Sequence, residues 1–472
     1  MKFRFIILLL YLFPFLSFAQ SLQMKDAVQI ALGNNIAIKQ KQELLHRSEA
    51  LNSASVGAFL PKVGITGGYT WFNTNPMVNM EMFKPGLDDL FGKYGTVMAK
   101  ELGLSDESQE DIYNTIVGGL EELPAYDLEI LFNQFPNANV YALQPLFTGG
   151  KISNLKNITE IEHEVASIWL ESTKDLITEQ TISRYLKVLL DKKLLATRKT
   201  TLQLMQKHAL QTKRMIETGL LPRHHSIQAQ VAVSQSEAAY EQEKNNLDIA
   251  LIELKNIMGC SKDSVFTLKD SLIYQKVEIH IDSLMAIADS AQPGLQLAEK
   301  HKEISDRMYK SEVANLLPQV YAYANYSFFN DKMPVIMPPF TAGIQLNYTF
   351  FSGGSHYKMT KAARHLNQEA IYSKENTRNK FYLLIVTTNA IVANAETLYR
   401  KLGTTEKLAE ENFMIANKRF KEGLGKSIEV LDSQSLLEDI RVERYTALFA
   451  YYQALAKLYL AAGQPEKLLT MF

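Results

Sequence analysis

Apolar residues recur at spacings of three and four from 151 to 218, through Ile158, Ile161, Val165 and Ile168 and again Ile182, Leu186 and Leu189, with no Gly or Pro in the span. Such spacing predicts one helix packed against neighbours in coiled-coil fashion. A second span, 355 to 422, holds no Pro and a single Gly, Gly403. At ~1.5 Å rise per residue each rod is about 100 Å long. Charges such as Lys174, Asp175 and Glu179 recur along the first rod, so it does not lie in hydrocarbon, and it far exceeds the ~30 Å needed to cross a bilayer core. Elsewhere the pattern switches to strict alternation. In KVGITGGYTWFN (62–73), Val63, Ile65, Tyr69 and Trp71 face one way and Lys62, Thr66 and Thr70 the other. Val140, Ala142 and Leu146 share a face near 138–147, and QVYAYANYSFF (319–329) and TAGIQLNYTFF (341–351) alternate likewise. These read as strands of membrane-barrel length, one face suited to lipid and the other to water.

Punctuation organises these elements into two copies of one plan. Each rod follows a Gly-Gly turn, PLFTGG (145–150) or TFFSGG (349–354), so Gly149, Gly150, Gly353 and Gly354 are read as sharp strand-to-helix turns. Gly219 and Gly423 break the rods, and short connections return the chain antiparallel in helices expected at 223–258 and 426–462. Phe147 matches Phe351, Gly149 matches Gly353, Gly219 matches Gly423, Gln230 matches Gln434 and Gly259 matches Gly463, all at one offset. That constancy marks an internal duplication. Leu60-Pro61 matches Leu317-Pro318 at a larger offset, so the extra length lies in the first hairpin loop, 74–135, rich in Gly, Pro, Asn and Met with one helical patch around Asp106 to Leu120. The expected organisation is therefore a first repeat at 20–259, a linker at 260–281, a second repeat at 282–463 and a tail at 464–472. Within the first repeat, helical spacing at 22–58 is loosened at Asn34 and Asn35 and ends before Pro61.

Composition narrows the function. Of 472 residues the net charge is -1, with no basic surface that points to nucleic acid. One cysteine, Cys260, excludes an intramolecular disulfide and a thiolate metal cluster and reads as buried filler. Lys2 and Arg4 precede an apolar run from Phe5 to Phe18, and Ser17 with Ala19 offers a cleavage pattern, so 1–19 is read as a signal peptide. No cysteine follows that site to carry a lipid. FYLLIVTTNAIV (381–392) is too short to span a membrane and reads as a buried helical seam. Membrane insertion after export then falls to the strands. Four strands per chain cannot close a barrel, since filled barrels need about eight and edges open to lipid are not tolerated. Three copies would supply twelve strands and an open lumen, a conduit rather than a pocket.

With these features in place, the chain resembles the TolC-type outer-membrane efflux channel family. The resemblance rests on LPKVGITGGYTW and LLPQVYAYANYSFF at the strand starts, PLFTGGK and TFFSGGS at the strand ends, and KRFKEGLGKSIEVLDSQ (418–434) at the second turn. It implies a mostly α, internally duplicated fold whose four strands form one third of a trimeric twelve-stranded β-barrel, continuous with a long periplasmic α-helical barrel. It also implies a homotrimer in outer-membrane lipid that receives cargo from an inner-membrane transporter through a periplasmic adaptor, with no cofactor and no enzymatic activity. A periplasm-spanning scaffold without open-channel activity is the alternative.

Candidate chemistry gathers at the second turn. Glu429 and Asp432, three apart, share one helix face, and threefold symmetry would set six carboxylates around an axis, attracting cations. A solvated helix face is the competing reading of the spacing. By resemblance, IEVLD (428–432) matches the segment that carries the family's acidic constriction. The Tyr, Arg and Asp that close the family archetype correspond to Phe420, Gly425 and His225, so those links cannot form as such; with Gln228 these are read as neighbours of a gate. His224 and His225 are adjacent and lack the i, i+4 spacing of a helical metal pair. No nucleophile motif, phosphate loop or dinucleotide fingerprint occurs. Trp71, Tyr323 and Tyr348 fit interfacial aromatic girdles or ordinary strand packing.

Overall fold

The computed structural model describes residues 20–122, 127–129, 133–329 and 338–472; the expected signal segment 1–19 lies outside them. The first part of the chain runs β1 (Gln20–Leu22), α1 (Met24–Asn34), α2 (Ile36–Ser55), β2 (Lys62–Trp71), β3 (Met77–Asn79), α3 (Lys84–Glu101), α4 (Asp106–Glu121), β4 (Asp127–Glu129), β5 (Gln134–Phe147), α5 (Lys151–Glu217) and α6 (His224–Ile257). The second runs β6 (Phe266–Leu268), α7 (Ile281–Ala291), α8 (Pro293–Ala314), β7 (Gln319–Ser327), β8 (Phe340–Asn347), α9 (Ser355–Lys421) and α10 (Ser427–Ala461). Both rods, α5 and α9, are unbroken helices of 67 residues. Two compact units result. A strand unit comprises the described residues of 56–153 and 311–356, and a helical unit comprises 20–55, 154–310 and 357–472.

In the strand unit, β2, β5, β7 and β8 form one antiparallel sheet in that order. Its register sorts most of the side chains into an apolar and a polar face. Ile65 pairs with Val140, which pairs with Tyr326, which pairs with Phe340; Val63, Ala142, Ala324 and Ala342 make the adjacent row on the same face. The other face carries Thr66, Asn139 and Ser327, and the row Tyr141, Asn325 and Thr341. The apolar face is uncovered in the chain: Val63 is 70% exposed, Ile65 76% and Ile344 72%. Pro145, which has no N–H to donate, sits where the β5–β7 register breaks. Glycines lie beneath tyrosines across both hairpins: a Cβ on Gly64 would meet the Tyr141 ring at 2.6 Å, and one on Gly343 the Tyr323 hydroxyl at 2.9 Å. Tyr323 is thereby a cross-strand packing residue on the polar face rather than part of a girdle. Tyr348 lies beyond the end of β8, its ring edge-on to Phe350.

Two expectations are corrected here. The segment 74–135 is not an extended loop: it holds α3 packed on α4, and β3 paired antiparallel with β4. Gly92 and Gly95, which suggest a loop, are where Tyr113, Val117 and Ile116 of α4 come close to α3. The linker 260–281 likewise contains β6, paired in parallel with β1 through Leu22 and Leu268.

The helical unit is centred on tyrosines. Tyr185 of α5 and Tyr451, Tyr452 and Tyr459 of α10 are among its largest fully buried side chains. They pack with Leu22, Met24, Leu186, Leu254, Met258 and Leu455. Their hydroxyls find partners, as buried phenols require. Tyr185 donates toward the Leu22 carbonyl and Asp270 Oδ2, each at 2.8 Å, and Asp270 Oδ2 also accepts from the Met24 N–H at 2.8 Å. Tyr451 donates to the Gln275 carbonyl at 3.1 Å and Tyr452 to the Ile273 carbonyl at 2.6 Å, so the 266–277 segment is strapped to the helices. The 381–392 seam is covered on one side only. Ile385, Thr388 and Val392 are buried, whereas Leu383, Leu384, Val386 and Ile391 are exposed. By length and composition alone, α9 is also long and apolar enough to cross a membrane.

Between α5 and α6, Asp191 is fully buried and bonded to Lys187 at 2.5 Å, and the nearby Glu243 is also buried. Burial raises both carboxyls, and the Asp191 charge raises Glu243 further. A carboxyl whose folded pKa lies above its unfolded value of about 4 contributes stability that is present in acid and lost as pH rises through the raised pKa. These two carboxyls therefore contribute a downward slope to the thermal midpoint of the detergent-solubilised protein as pH rises from about 4 toward neutrality. Asp191→Asn should flatten that slope, and an unchanged slope would remove these carboxyls as its cause.

Candidate functional site

Both rods end in the same backbone device. Gly219 and Gly423 adopt φ of +78° and +77°. In each, the glycine N–H bonds to the carbonyl three residues back, and the N–H of the next residue, Leu220 or Leu424, to the one five back. This double closure satisfies otherwise orphaned helix carbonyls and reverses the chain, and it needs a residue without Cβ strain at positive φ. At the opposite ends, Gly149 and Gly353 both have φ of +63°, followed by Gly150 at +86° and Gly354 at +78°. There the Thr148 and Ser352 hydroxyls accept from the N–H of Ile152 and His356 at the start of α5 and α9. A Cβ on Gly149 would meet the Ala314 carbonyl at 2.9 Å, whereas Gly353 has open space around it.

The second turn places the acidic pair. Glu429, in the first turn of α10, is half-exposed, and Asp432 one turn on is exposed. Together with Asn412, Ala416 and Arg419 of α9 they line a cleft of about 320 Å³. Arg419 was not visible as a neighbour from spacing, because it lies across the turn on the other helix. Glu429 also has a structural role there, since an acid in the first turn complements the helix dipole. Asp432 stands on the ridge between that cleft and a groove of about 540 Å³ formed by α5, α6 and α10, where Gln228, Gln434 and Glu438 also lie. Gln228 is thus brought near Asp432. The groove is braced by Arg198, 2.7 Å from Glu438.

The remaining sequence-derived candidates separate from this pair. Phe420 is fully buried among Ala416 and Val430, with Met215, Leu221 and Phe413 packed against them. It is core of the turn. Gly425 belongs to the turn itself, its N–H bonded to the Arg419 carbonyl at 3.1 Å. His225 is half-buried with its ring 4.1 Å from that of His224. Among the described residues no cluster of His, Cys, Asp or Glu could hold a metal ion.

One group at this end was not singled out by the sequence. His208 of α5 is buried, its ring 4.7 Å from Phe420 and its Nε2 2.8 Å from the hydroxyl of Ser427, the first residue of α10. Burial pushes the imidazole down to about 4. Its Nδ1 and the Thr212 hydroxyl one turn along are buried without partners. The spacing Thr201, Met205, His208, Thr212, all buried on α5, was the available signal.

A family model described as outer membrane efflux protein matches residues 136–260 and 286–464. No curated relative matches the chain. Solved structures do: CusC, at 13% identity, covers 95% of this chain and 93% of its own with a TM-score of 0.72. The CmeC outer membrane channel of Campylobacter jejuni matches at 12% identity, 94% and 86% coverage and TM-score 0.70. The outer membrane protein VceC of Vibrio cholerae matches at 14%, 93% and 96% coverage and 0.70. At these identities the structural likeness speaks to the fold.

Proposed function

Because the chain belongs to the outer membrane efflux protein family, we propose that it is the passive outer-membrane duct of a tripartite efflux or type I secretion system. Three copies close a twelve-stranded barrel and receive cargo from an inner-membrane transporter through a periplasmic adaptor. The observation that carries this reading is the four-stranded sheet, with one uncovered apolar face and with β2 and β8 each paired on one side only. A lone sheet of this kind cannot rest in lipid, whose core leaves no partner for unpaired backbone groups. Joining β2 of one copy to β8 of the next removes every edge and sends the face bearing Thr66, Asn139 and Tyr141 inward. The exposed Leu383, Leu384, Val386 and Ile391 on α9 then face neighbouring copies.

In this arrangement Glu429 and Asp432 form an acidic constriction at the periplasmic end. Arg419 in the same cleft partly offsets each pair. The properly refolded oligomer is expected to show discrete conductance steps in planar bilayers. Changing Glu429→Gln and Asp432→Asn together should roughly halve the preference for cations over anions, since fixed charge near a narrow point sets ion selectivity. No conductance from assembled trimer sinks the duct and favours a scaffold. Conductance with unaltered selectivity returns the two acids to a solvated helix face.

A further inference from the structure

The hairpin of α3 and α4 lies outside both family-matched segments, so the family's common design does not explain it. It is inserted between β2 and β5, while the corresponding connection of the second hairpin, 328–339, is short. Its construction is specific. Gly92 and Gly95 give α3 a bare side, and a Cβ on Gly92 would lie 2.5 Å from the Tyr113 ring, while one on Gly95 would collide with Ile116. That side of α3 is used up by α4. A second apolar side remains. Phe83, Leu87, Leu90, Phe91, Tyr94 and Met98 fall within an arc of about 100° at ~100° per residue, and all are exposed, Leu90 and Tyr94 by 63% and 64%. Asp89, Lys93 and Lys100 lie on a separate polar arc, while Lys84 and Asp88 fall on the side of Gly92 and Gly95, and Glu101 ends the helix. An exposed apolar stripe next to a side already packed on another helix is built to be covered in turn, and large contiguous apolar patches mark interaction sites.

The geometry points to the covering partner being a second copy of this chain: the α3 stripes of three protomers pack on one another across the outer mouth of the barrel. This rests on the trimeric duct proposed above. Three features favour that occupant. The hairpin hangs from β2, the edge strand that joins the next copy in the trimer, so neighbouring hairpins are held side by side. Helix α3 has 18 residues, about 27 Å at ~1.5 Å each, and a twelve-stranded barrel with ~4.8 Å strand spacing and strands tilted ~40° is about 24 Å across, so the helix reaches the axis. Charge argues against an anionic lipid surface instead. No Lys or Arg occurs from Glu101 to Gly150, and α4 carries Asp106, Glu107, Glu110, Asp111 and Glu121. On α3 itself Lys84, Lys93 and Lys100 balance Asp88, Asp89 and Glu101, so α3 stripes meet without like-charge cost while the acidic α4 helices stay outward in water.

Single cysteines test the packing in the full chain, with Cys260→Ala removing the only native thiol. In purified trimer, Leu90→Cys is expected to join copies under mild oxidation or a short bis-maleimide and to resist a water-soluble maleimide. Lys93→Cys, on the polar arc, should label fully and not cross-link. Leu90→Asp with Tyr94→Asp should leave the trimer assembled while raising single-channel conductance about twofold or more by opening the mouth. If the Leu90→Cys variant assembles as a trimer, yet its new thiol labels completely and never links copies, the packing proposal alone is overturned, as it is by cross-linking to a different protein. A chain that stays monomeric when correctly refolded overturns the trimeric duct, and this packing with it.

Discussion

Replacing Tyr185 with alanine is expected to destabilise the helical unit by about 4 kcal/mol, within the range for deleting a buried aromatic side chain with hydrogen-bonded groups left behind. The ring is fully buried, so its removal opens a cavity that neighbours on a long, straight helix cannot collapse into. Its hydroxyl is a node: it bonds to the Leu22 carbonyl and to Asp270, and Asp270 in turn holds the Met24 N–H. The pairing of β1 with β6 loses its cross-brace when the phenol goes. Tyr185→Phe keeps the volume and should cost only about 1–2 kcal/mol. Denaturant unfolding of the solubilised protein measures both. Equal losses for the two variants would mean the ring's packing is not what counts, and the hydroxyl alone is.

The second large effect is expected at the turn of the second repeat. Phe420→Ala should cost about 3–5 kcal/mol, concentrated in the last turn of α9 and the first of α10, because Phe420, Val430 and Ala416 form a small core separate from the rest. The loss exposes His208, whose ring lies against Phe420. The wild-type imidazole is held at about 4 by burial, below its unfolded value of about 6.5. A depressed pKa of this kind contributes stability that is present above the unfolded value and is lost as pH falls toward the folded one. Hydrogen-exchange protection at Ser427 to Gln434 is therefore expected to weaken in wild type as pH drops from about 7 toward 4. In Phe420→Ala that protection should already be low at neutral pH and change little with acid. Undiminished protection in the variant at neutral pH would show that the turn is held by the glycine closure at Gly423 and not by its core.

The rods and strands were legible because their periods are long and clean. Nothing interrupts the spacing of α5, and the alternation in β2 and β8 sorts apolar from polar residues as the observed register does. The turns were legible through glycines that take positive φ in both repeats. Helix α3 was not, because Pro85, Gly86, Gly92 and Gly95 punctuate it, and two of those glycines serve contact with α4 rather than a turn. The three-residue strands β1 and β6 are too short to carry a period, and their pairing is fixed by Tyr185 from elsewhere in the chain together with Asp270 just beyond β6. At the second turn, Glu429 and Asp432 could be seen together on one helix. His208 and Ser427 could not, since each belongs to a different repeat and only tertiary packing joins them. Phe420 was legible as a position but not as a burial.

The sheet also sets an order of events. Within each repeat the strands pair as hairpins, β2 with β5 and β7 with β8, but the two hairpins meet only where β5 lies against β7, from Asn139 with Ser327 to Phe147 with Val320. The long helix α5 and the return helix α6 lie between them in sequence. Contacts that close so long a loop form slowly, since loop-closure entropy must be overcome before the contact stabilises anything. The helices, built from local bonds, form early; the sheet waits for the second hairpin. During that wait β5 has an unpaired edge and an apolar face open to water, a state prone to aggregation. This chain is accordingly expected to depend on a chaperone that shields its strands between export and insertion, and its slowest folding step should respond to changes in β5 and β7 more than to changes in either rod.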